Sequence, residues 1–328
     1  MATATFQTKA TITSFGGQLL KLSHKSNSTG TDMAVNLYLP PQATTRAVPV
    51  LFYLSGLTCT PDNCTEKGFF QSQASARGLA VVYPDTSPRG LDLAGERDSW
   101  DFGEAASFYV DATREPFRQN YKMETYITKE LPELLFREFA GKLDRSRISI
   151  TGHSMGGHGA LSLYLRHPGM YRSVSAFAPI ANPSKCPWGE KAFTGYLGDD
   201  RAEWAKHDST ELVKNWSYGP LNALIDVRYQ GLGDNFYIQK QLLPENFEKV
   251  VKEKNLQGLS LRYHYGYDHS YFFMASFAKD HVDHAAKHLG LGSAEHAVRE
   301  GKEPKVKPGR NTKDVERTKR RCVRAVDM

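Results

Sequence analysis

The sequence has little cysteine and no long apolar run, and each absence narrows the classes of protein to which it could belong. Four cysteines occur in 328 residues, at spacings that match neither a disulfide framework nor a zinc site. No stretch approaches the roughly 20 apolar residues that span a bilayer, so no membrane partner is expected. The opening residues, MATATFQTKATITSF, lack the basic start and apolar run of a signal peptide. We therefore expect reduced thiols and a cytoplasmic location. The cysteines are Cys59, Cys64, Cys186 and Cys322.

The positive charge of the chain is concentrated in its last residues. The formal net charge is +6 at pH 7, and residues 299–328 carry 11 Lys and Arg against 5 Asp and Glu, so the remainder is neutral. From 291 onward large apolar residues become rare, and such a segment cannot bury enough surface to offset its chain entropy. We predict one folded domain over 1–290 and a disordered basic tail over 291–328. The tail could contact phosphates. It has no aromatic residue to stack on bases, so no nucleic-acid partner is expected.

Buried strands alternate with helices along the folded part. This alternation predicts a mostly parallel central sheet with helices on both faces. The expected strands are 19–24, 33–39, Val48–Leu54, 79–83, 148–153, 173–178, 223–227 and Leu259–Tyr265. The expected helices are 64–77, 125–139, 154–167, 244–254 and 271–289.

One stretch carries the clearest chemical signal. The β-rich run at 148–151 meets Gly152-His153-Ser154-Met155-Gly156 and passes directly into a helical segment. This is the pattern of a nucleophile elbow, in which a serine stands on a sharp turn between strand and helix. Glycines suit both flanking positions because the two backbones pass close together there. An ordinary glycine-rich turn is the alternative, but the flanking elements favour Ser154 as a nucleophile.

A serine hydroxyl needs a base to remove its proton. In folds with such an elbow, the acid and then the histidine follow the serine along the chain. His269 lies after the last strand and is the expected base. Asp226 and Asp234 both suit the acid, and Asp234 is preferred because it lies in a loop rather than within a strand. Asp268, next to the base, is expected to cap a turn.

Two backbone N–H groups are expected to bind the oxyanion that forms during attack. One belongs to Met155, directly after the nucleophile, and the other to Leu57, in the loop after the strand Val48–Leu54. A plain glycine turn is the alternative for that loop. Three histidines recur along the last helix with a spacing that could suit a metal, but no cysteine or carboxylate cluster joins them. We predict a solvated helix face there for His281, His284 and His288.

Several strings together resemble one family, the S-formylglutathione hydrolases, also called esterase D, of the α/β-hydrolases. These strings are LSGLTCT (54–60), YPDTSPRG (83–90), DSWDFG (98–103), FYVDAT (108–113), GHSMGGHGAL (152–161), SAFAPI (175–180), CPWG (186–189), QLLPENF (241–247) and GYDHSYFF (266–273). The resemblance covers roughly residues 5–290. It implies an α/β-hydrolase fold and a Ser154–His269–Asp234 triad.

The resemblance also implies an activity. The expected reaction is hydrolysis of S-formylglutathione to formate and glutathione, with no metal or cofactor, by a cytosolic enzyme that is often a homodimer. A broad carboxylesterase that acts on small acyl esters is the nearest alternative. Two further alternatives are a protein whose tail binds nucleic acid and a catalytically dead hydrolase that serves as a scaffold. The scaffold is disfavoured because all three triad residue types are present in order.

Four further residues are candidates for contact with the substrate. Cys59 could be a thiol at the mouth of the pocket or a small buried filler. Arg89 and Lys191 could meet the glutathione carboxylates, although a solvated surface charge is preferred for each. Trp188, in the CPWG string, is the fourth candidate.

Overall fold

A nine-stranded sheet forms the centre of the molecule in a computed structural model that describes residues 5–229 and 235–292. The strand order across the sheet is β1-β2-β3-β5-β4-β6-β7-β8-β9. The strands are β1 Gln7–Ser14, β2 Gly17–Lys25, β3 Asp32–Leu39, β4 Val48–Leu54, β5 Ala80–Pro84, β6 Leu143–His153, β7 Val174–Phe177, β8 Ala223–Tyr229 and β9 Leu259–Tyr265. Every strand expected from the sequence is present, and β1 is an additional one.

The sheet is mostly parallel, as predicted. Strands β5, β4, β6, β7, β8 and β9 pair in parallel, whereas β1, β2 and β3 join through antiparallel pairings. Every residue of β4, β5 and β7 is buried. Because successive side chains of a strand point to opposite faces, the centre of the sheet is covered on both sides. The predicted fold class is confirmed.

Helices lie in each connection between strands from β4 onward, and one more follows β9. They are α1 Pro61–Lys67, α2 Phe70–Arg77, α3 Met123–Thr125, α4 Leu131–Glu138, α5 Met155–Arg166, α6 Pro187–Leu197, α7 Arg201–Ala205, α8 Ser209–Leu212, α9 Asn235–Ile238, α10 Pro244–Glu253 and α11 Tyr271–His288. The sequence patterns missed α6, α7 and α8, which lie between β7 and β8, and the short α9, which precedes α10. Among the described helices, none is long and apolar enough to cross a membrane. The predicted tail lies outside the described residues from 293 onward.

The single helix predicted over 64–77 is wrong, because two helices occupy this region. Helix α1 ends where the Gly68 N–H donates to the Cys64 carbonyl at 2.7 Å. Phe69 then adopts a left-handed conformation with φ 56°, directly before α2. A Cβ at Gly68 would lie 2.5 Å from Cys64 Sγ, so the break depends on glycine at this close approach.

The helix predicted over 125–139 is present but irregular. A π-helical segment, Tyr126–Glu130, separates α3 from α4. Pro132 has no N–H to donate to the carbonyl four residues earlier, so the regular ladder of hydrogen bonds cannot continue through this point. The wider turn directly before the proline lets the chain stay helical across the gap.

Candidate active site

The candidate nucleophile stands between β6 and α5, as the sequence pattern predicts. Strand β6 ends at His153 and α5 begins at Met155. Ser154 between them has φ 54° and ψ −120°, a sparsely populated conformation for a residue with a side chain. A Cβ at Gly156 would lie 2.0 Å from the Leu54 carbonyl oxygen. Glycine is therefore required for the strand and helix backbones to approach this closely.

The loop 55–59 lies directly against the elbow. A Cβ added at Gly56 would lie 3.1 Å from Ser154 Cβ, so this glycine marks the contact. Within the described chain, neither the Leu57 N–H nor the Met155 N–H donates to another protein group. Two N–H groups that flank a nucleophile without an internal acceptor are what an oxyanion site needs.

The rest of the loop 55–59 is firmly anchored by hydrogen bonds. Tyr109 donates its hydroxyl to the Ser55 carbonyl at 2.8 Å, and the Thr58 N–H donates to the Ala105 carbonyl at 3.1 Å. The Cys59 carbonyl accepts from Thr86 Oγ1 at 2.6 Å and from Arg89 at 3.0 Å. The loop is therefore held in one geometry while the Leu57 N–H stays open. No local sequence pattern signals the anchoring roles of Tyr109 and Thr86, because these contacts are formed between segments distant along the chain.

His153, the residue before the nucleophile, is fully enclosed by the site. Its Nε2 accepts the Gly56 N–H at 3.1 Å, and its Nδ1 lies 3.0 Å from the Tyr53 hydroxyl. The Tyr271 ring packs edge-on against the imidazole with centroids 5.1 Å apart. Burial, with a smaller contribution from the charge of His269, lowers the pKa of His153 to about 3. His153 is therefore neutral at physiological pH.

His269 lies in the loop that joins β9 to α11, where the sequence placed the base. Its ring packs edge-on against Phe236 with centroids 4.9 Å apart. Its charge also contributes to the lowered pKa of His153. Hydrogen bonds at the start of α11 hold the turn that contains His269. Asp268 Oδ1 accepts the Ser270 N–H at 3.2 Å, and Ser270 Oγ caps α11 by accepting the Phe272 N–H. The expected capping role of Asp268 is confirmed.

Of the two candidate acids, the structure describes only one. Asp234 lies outside the described residues. Asp226 is fully buried in β8 and accepts two hydrogen bonds from Arg262, at 2.6 and 2.5 Å, and one from His281 at 3.2 Å. Burial alone would raise the pKa of Asp226, but the bonds from His281 and Arg262 outweigh it and hold the pKa well below its ordinary range. Asp226 is therefore a buried structural carboxylate, and Asp234 stays the predicted acid.

The solvated face predicted for the histidines of α11 is wrong for two of them. His281 is fully buried, with its ring stacked 3.5 Å from that of Phe177. His284 Nε2 lies 2.9 Å from the Asn222 carbonyl oxygen, and burial lowers the pKa of His284 to about 4. The i, i+3 spacing places these side chains against the sheet, so they serve packing. No cluster of three metal-ligating side chains occurs within residues 5–229 and 235–292.

In three of the four candidate substrate residues, the polar group of the side chain contacts another side chain of the protein. Cys59 is 7% exposed, and its Sγ lies 3.7 Å from the Tyr271 hydroxyl. Burial raises the pKa of the Cys59 thiol, although the bond with Tyr271 opposes this, so the geometry favours the filler role. Arg89 binds both oxygens of Asp85, each at 2.8 Å, and Lys191 binds Asp101. We therefore leave Arg89 and Lys191 out of the proposed substrate site.

Trp188 is the candidate that the fold brings towards the base. It is buried at the start of α6, and its ring lies 4.7 Å from that of Phe236. Phe236 in turn contacts His269. Trp188 therefore supports the aromatic wall beside the imidazole, one residue removed from it.

The parallel sheet with a strained serine at a strand–helix turn defines a class of protein, the serine hydrolases of the α/β-hydrolase fold. Comparisons with known proteins agree with this class. A family model described as putative esterase matches residues 26–284. An S-formylglutathione hydrolase of Rattus norvegicus is 51% identical over 275 residues, which cover 84% of this chain and 95% of that protein.

Two further relatives carry the same name. One, from Arabidopsis thaliana, is 50% identical over 278 residues, covering 84% of this chain and 95% of that protein. The other is a solved S-formylglutathione hydrolase from Agrobacterium tumefaciens, 43% identical, with a TM-score of 0.81, and it covers 87% of this chain and 100% of its own. The chain belongs to the S-formylglutathione hydrolase family of esterases, and the resemblance drawn from its motifs is confirmed.

Proposed function

We propose that this protein hydrolyses S-formylglutathione to formate and glutathione, with Ser154 as nucleophile, His269 as general base and Asp234 as the acid that orients the imidazole. The observation that carries the proposal is the strained Ser154 beneath an anchored loop whose Leu57 N–H is open. Relatives such as the 51% identical rat protein support the substrate.

The chemistry follows from the arrangement. His269 takes the proton of Ser154 as its oxygen attacks the thioester carbonyl. The Leu57 and Met155 N–H groups stabilise the oxyanion, and one such donor contributes about 3–4 kcal/mol in the transition state. The oxyanion collapses, the carbon–sulfur bond breaks and glutathione leaves as a thiolate. A thiol has a pKa of about 8.5, so the thiolate leaves with less help from an acid than an amine would need.

Deacylation uses the same groups. His269 removes a proton from water, which attacks the formyl ester on Ser154, and formate leaves as the Ser154 oxygen regains a proton. Apart from the substrate and the attacking water, the groups that take part in these steps are side chains and backbone N–H groups of the chain. The negative charge of Asp234 would stabilise the imidazolium that forms in each half of the reaction.

The test compares steady-state turnover of S-formylglutathione and of an aryl acetate by the purified protein. We expect the higher kcat/KM on the thioester, and loss of turnover by about a million-fold for Ser154→Ala. Efficient ester cleavage with poor thioester cleavage would favour the second candidate, a broad carboxylesterase, which the same elbow and the match to an esterase model support.

The identity of the acid has its own test. Asp234→Asn should lower kcat by about 10⁴-fold, as the loss of a triad acid does elsewhere, with unchanged stability. Asp226→Asn is the matched comparison, because it removes the other carboxylate associated with β8. A larger loss of kcat in Asp226→Asn than in Asp234→Asn, with the fold intact, would reject Asp234.

We further propose a homodimer in the cytoplasm. The resemblance implies the dimer, and two exposed aromatic residues, Tyr265 and Phe272, are available for a contact between copies. Free, buried Cys59, Cys64 and Cys186 suit a reducing compartment. Sedimentation velocity should give twice the chain mass of 36.7 kDa, and a monomer at micromolar concentration would contradict the dimer. Microscopy of a fluorescent fusion tests the location.

A further inference from the structure

We propose that His153 is a positioning residue, which fixes the oxyanion donor of Leu57 by holding the neighbouring Gly56 N–H on its imidazole. The proposal rests on the proposed function, because it assumes that the Leu57 N–H binds the oxyanion. It assigns a role in the reaction to a residue that the elbow pattern leaves unspecified.

His153 contacts three parts of the candidate active site. Its backbone precedes Ser154, and its Nε2 accepts the Gly56 N–H at 3.1 Å, one residue before Leu57. Its ring also packs against Tyr271, two residues after His269. The nucleophile, the oxyanion loop and the segment that bears the base therefore meet at one imidazole. A displacement of this ring would alter their relative positions.

The hydrogen bonds set the tautomer of the ring. Because Nε2 accepts from the Gly56 N–H, it carries no proton, and the neutral ring must carry its proton on Nδ1. Nδ1 lies 3.0 Å from the Tyr53 hydroxyl oxygen, which accepts the hydrogen bond from the Nδ1–H. The bonds from the Gly56 N–H through His153 to the Tyr53 hydroxyl therefore have one consistent direction.

The direction of these bonds matters for the loop. The other neutral tautomer would place an N–H at Nε2, facing the Gly56 N–H, and the two donors would repel each other. A charged imidazolium would do the same. Burial disfavours the charged form, and the Gly56 N–H, which can only donate, disfavours the wrong tautomer. The Gly56 N–H therefore keeps its acceptor at physiological pH.

A second buried histidine close to the nucleophile provides a matched control. His158, in the first turn of α5, is fully buried, and its pKa is likewise lowered to about 3 by burial. Its Nε2 lies 3.0 Å from the Phe108 carbonyl oxygen, to which it donates. His158 thus matches His153 in burial and charge state, but its Nε2 is directed at a segment other than the loop 55–59.

The experiment measures kcat and KM of S-formylglutathione hydrolysis for His153→Leu, His153→Gln and His158→Leu. We expect His153→Leu to lower kcat by about 10²–10³-fold with little change of KM, as the loss of an oxyanion donor does. The amide of His153→Gln can still offer an oxygen to the Gly56 N–H, so we expect it to recover most of that loss. We expect kcat of His158→Leu to stay within about threefold of the parent value, since a change away from the reacting groups leaves transition-state binding intact.

A transition-state analogue separates positioning from folding. A trifluoromethyl ketone forms an oxyanion on the serine, so its inhibition constant should rise in His153→Leu by the same factor by which kcat/KM falls. The substitution Tyr53→Phe provides a second test should His153→Leu fail to fold, because it removes only the acceptor of the His153 Nδ1–H and so loosens the ring. We expect about a tenfold lower kcat for Tyr53→Phe, the size of one net hydrogen bond.

Three outcomes separate this inference from the proposed function. If Ser154→Ala keeps its turnover, the proposed function fails. If Ser154→Ala is inactive while His153→Leu, or Tyr53→Phe where His153→Leu does not fold, keeps the parent kcat, the inference fails alone. An equal loss of kcat in His153→Leu and His158→Leu, with no change in the inhibition constant of the ketone, would likewise overturn it.

Discussion

Asp226 of β8 and Arg262 of β9 stand directly opposite each other in the sheet and form a two-bonded ion pair. His281 of α11 completes the cluster from the helix side. In the sequence, the proposed acid, Asp234, follows β8, and the proposed base, His269, follows β9. The cluster therefore ties together the two strands that precede these two members of the proposed triad.

Removing the carboxylate of this cluster should destabilise the fold strongly. Asp226→Ala leaves Arg262 and the buried His281 without their shared acceptor, and breaking a buried pair from one side costs about 3–5 kcal/mol. Urea denaturation monitored by circular dichroism measures the free energy of unfolding. The exposed pair between Lys252 and Glu248 on α10 is the control, and Lys252→Ala should change stability by less than about 1 kcal/mol. Equal effects of the two substitutions would contradict this role of the cluster.

Because β4 lies close to the elbow, we expect position 156 to tolerate no residue larger than glycine. In Gly156→Ala, the new Cβ would lie 2.0 Å from the Leu54 carbonyl oxygen and 2.5 Å from that of Ser55, so backbone must shift beneath the nucleophile. A shift of about 1 Å at a reacting group can cost about 10²-fold, so kcat should fall at least that far.

The control for Gly156→Ala is a glycine elsewhere with open space around it. Gly219 has a left-handed φ of 86°, and a Cβ added there would meet no atom of the described chain within 4 Å. Gly219→Ala should cost about 1 kcal/mol of stability through its conformation and leave kcat unchanged. Full activity in Gly156→Ala would refute the tight elbow.

The two buried histidines of the elbow predict how stability depends on pH. Burial lowers the pKa of both His153 and His158 from 6.5 to about 3. Between these values the unfolded chain binds protons that the folded chain does not, so the free energy of unfolding falls as the pH drops from 6.5 towards 3. Each histidine contributes a slope of about 1.4 kcal/mol per pH unit.

Urea unfolding at several pH values between 4.5 and 7, compared between the parent and His158→Leu, checks this slope. The variant should be less stable overall, yet its stability should fall less steeply with pH, by about 1.4 kcal/mol per unit. Parallel curves for the two proteins would mean that His158 titrates normally in the folded state.

The contacts of Arg89 predict a particular kinetic pattern. Its guanidinium is occupied by Asp85 and by the Cys59 carbonyl, so it positions the loop 55–59 rather than a glutathione carboxylate. Arg89→Ala should therefore lower kcat/KM on S-formylglutathione and on an aryl acetate by the same factor. A rise of KM confined to the glutathione substrate would show that Arg89 binds that carboxylate. Lys191→Ala, which frees Asp101 at a more exposed position, is the companion variant.

Those parts of the fold that depend on local pattern could be predicted from the sequence. Val48–Leu54 and Leu259–Tyr265 are found with the expected bounds, because each is a β-rich run bounded by turn residues. The break between α1 and α2 was missed because it depends on the approach of Gly68 to Cys64 and on a left-handed Phe69. Neither feature is visible in local propensity.

The residues of the candidate active site also fall into two groups, those that a local motif predicts and those that depend on contacts between distant segments. The elbow at Ser154 and the loop position of His269 follow from motif and chain order, and both are where the sequence placed them. The burial of His281 was not predictable, since it depends on Phe177 and Asp226 of two other elements. Residues that act through contacts distant in the chain are the ones that a single sequence leaves unassigned.

The most direct test of the central claim, that Ser154 is the nucleophile for thioester cleavage, is a titration with a fluorophosphonate. Intact mass and peptide mapping measure the fraction of protein labelled and the residue modified, and S-formylglutathione turnover is measured on the same samples. We predict a single adduct on Ser154 and activity that falls in direct proportion to labelling, reaching zero at one adduct per chain. Complete labelling of Ser154 with turnover intact would contradict the account.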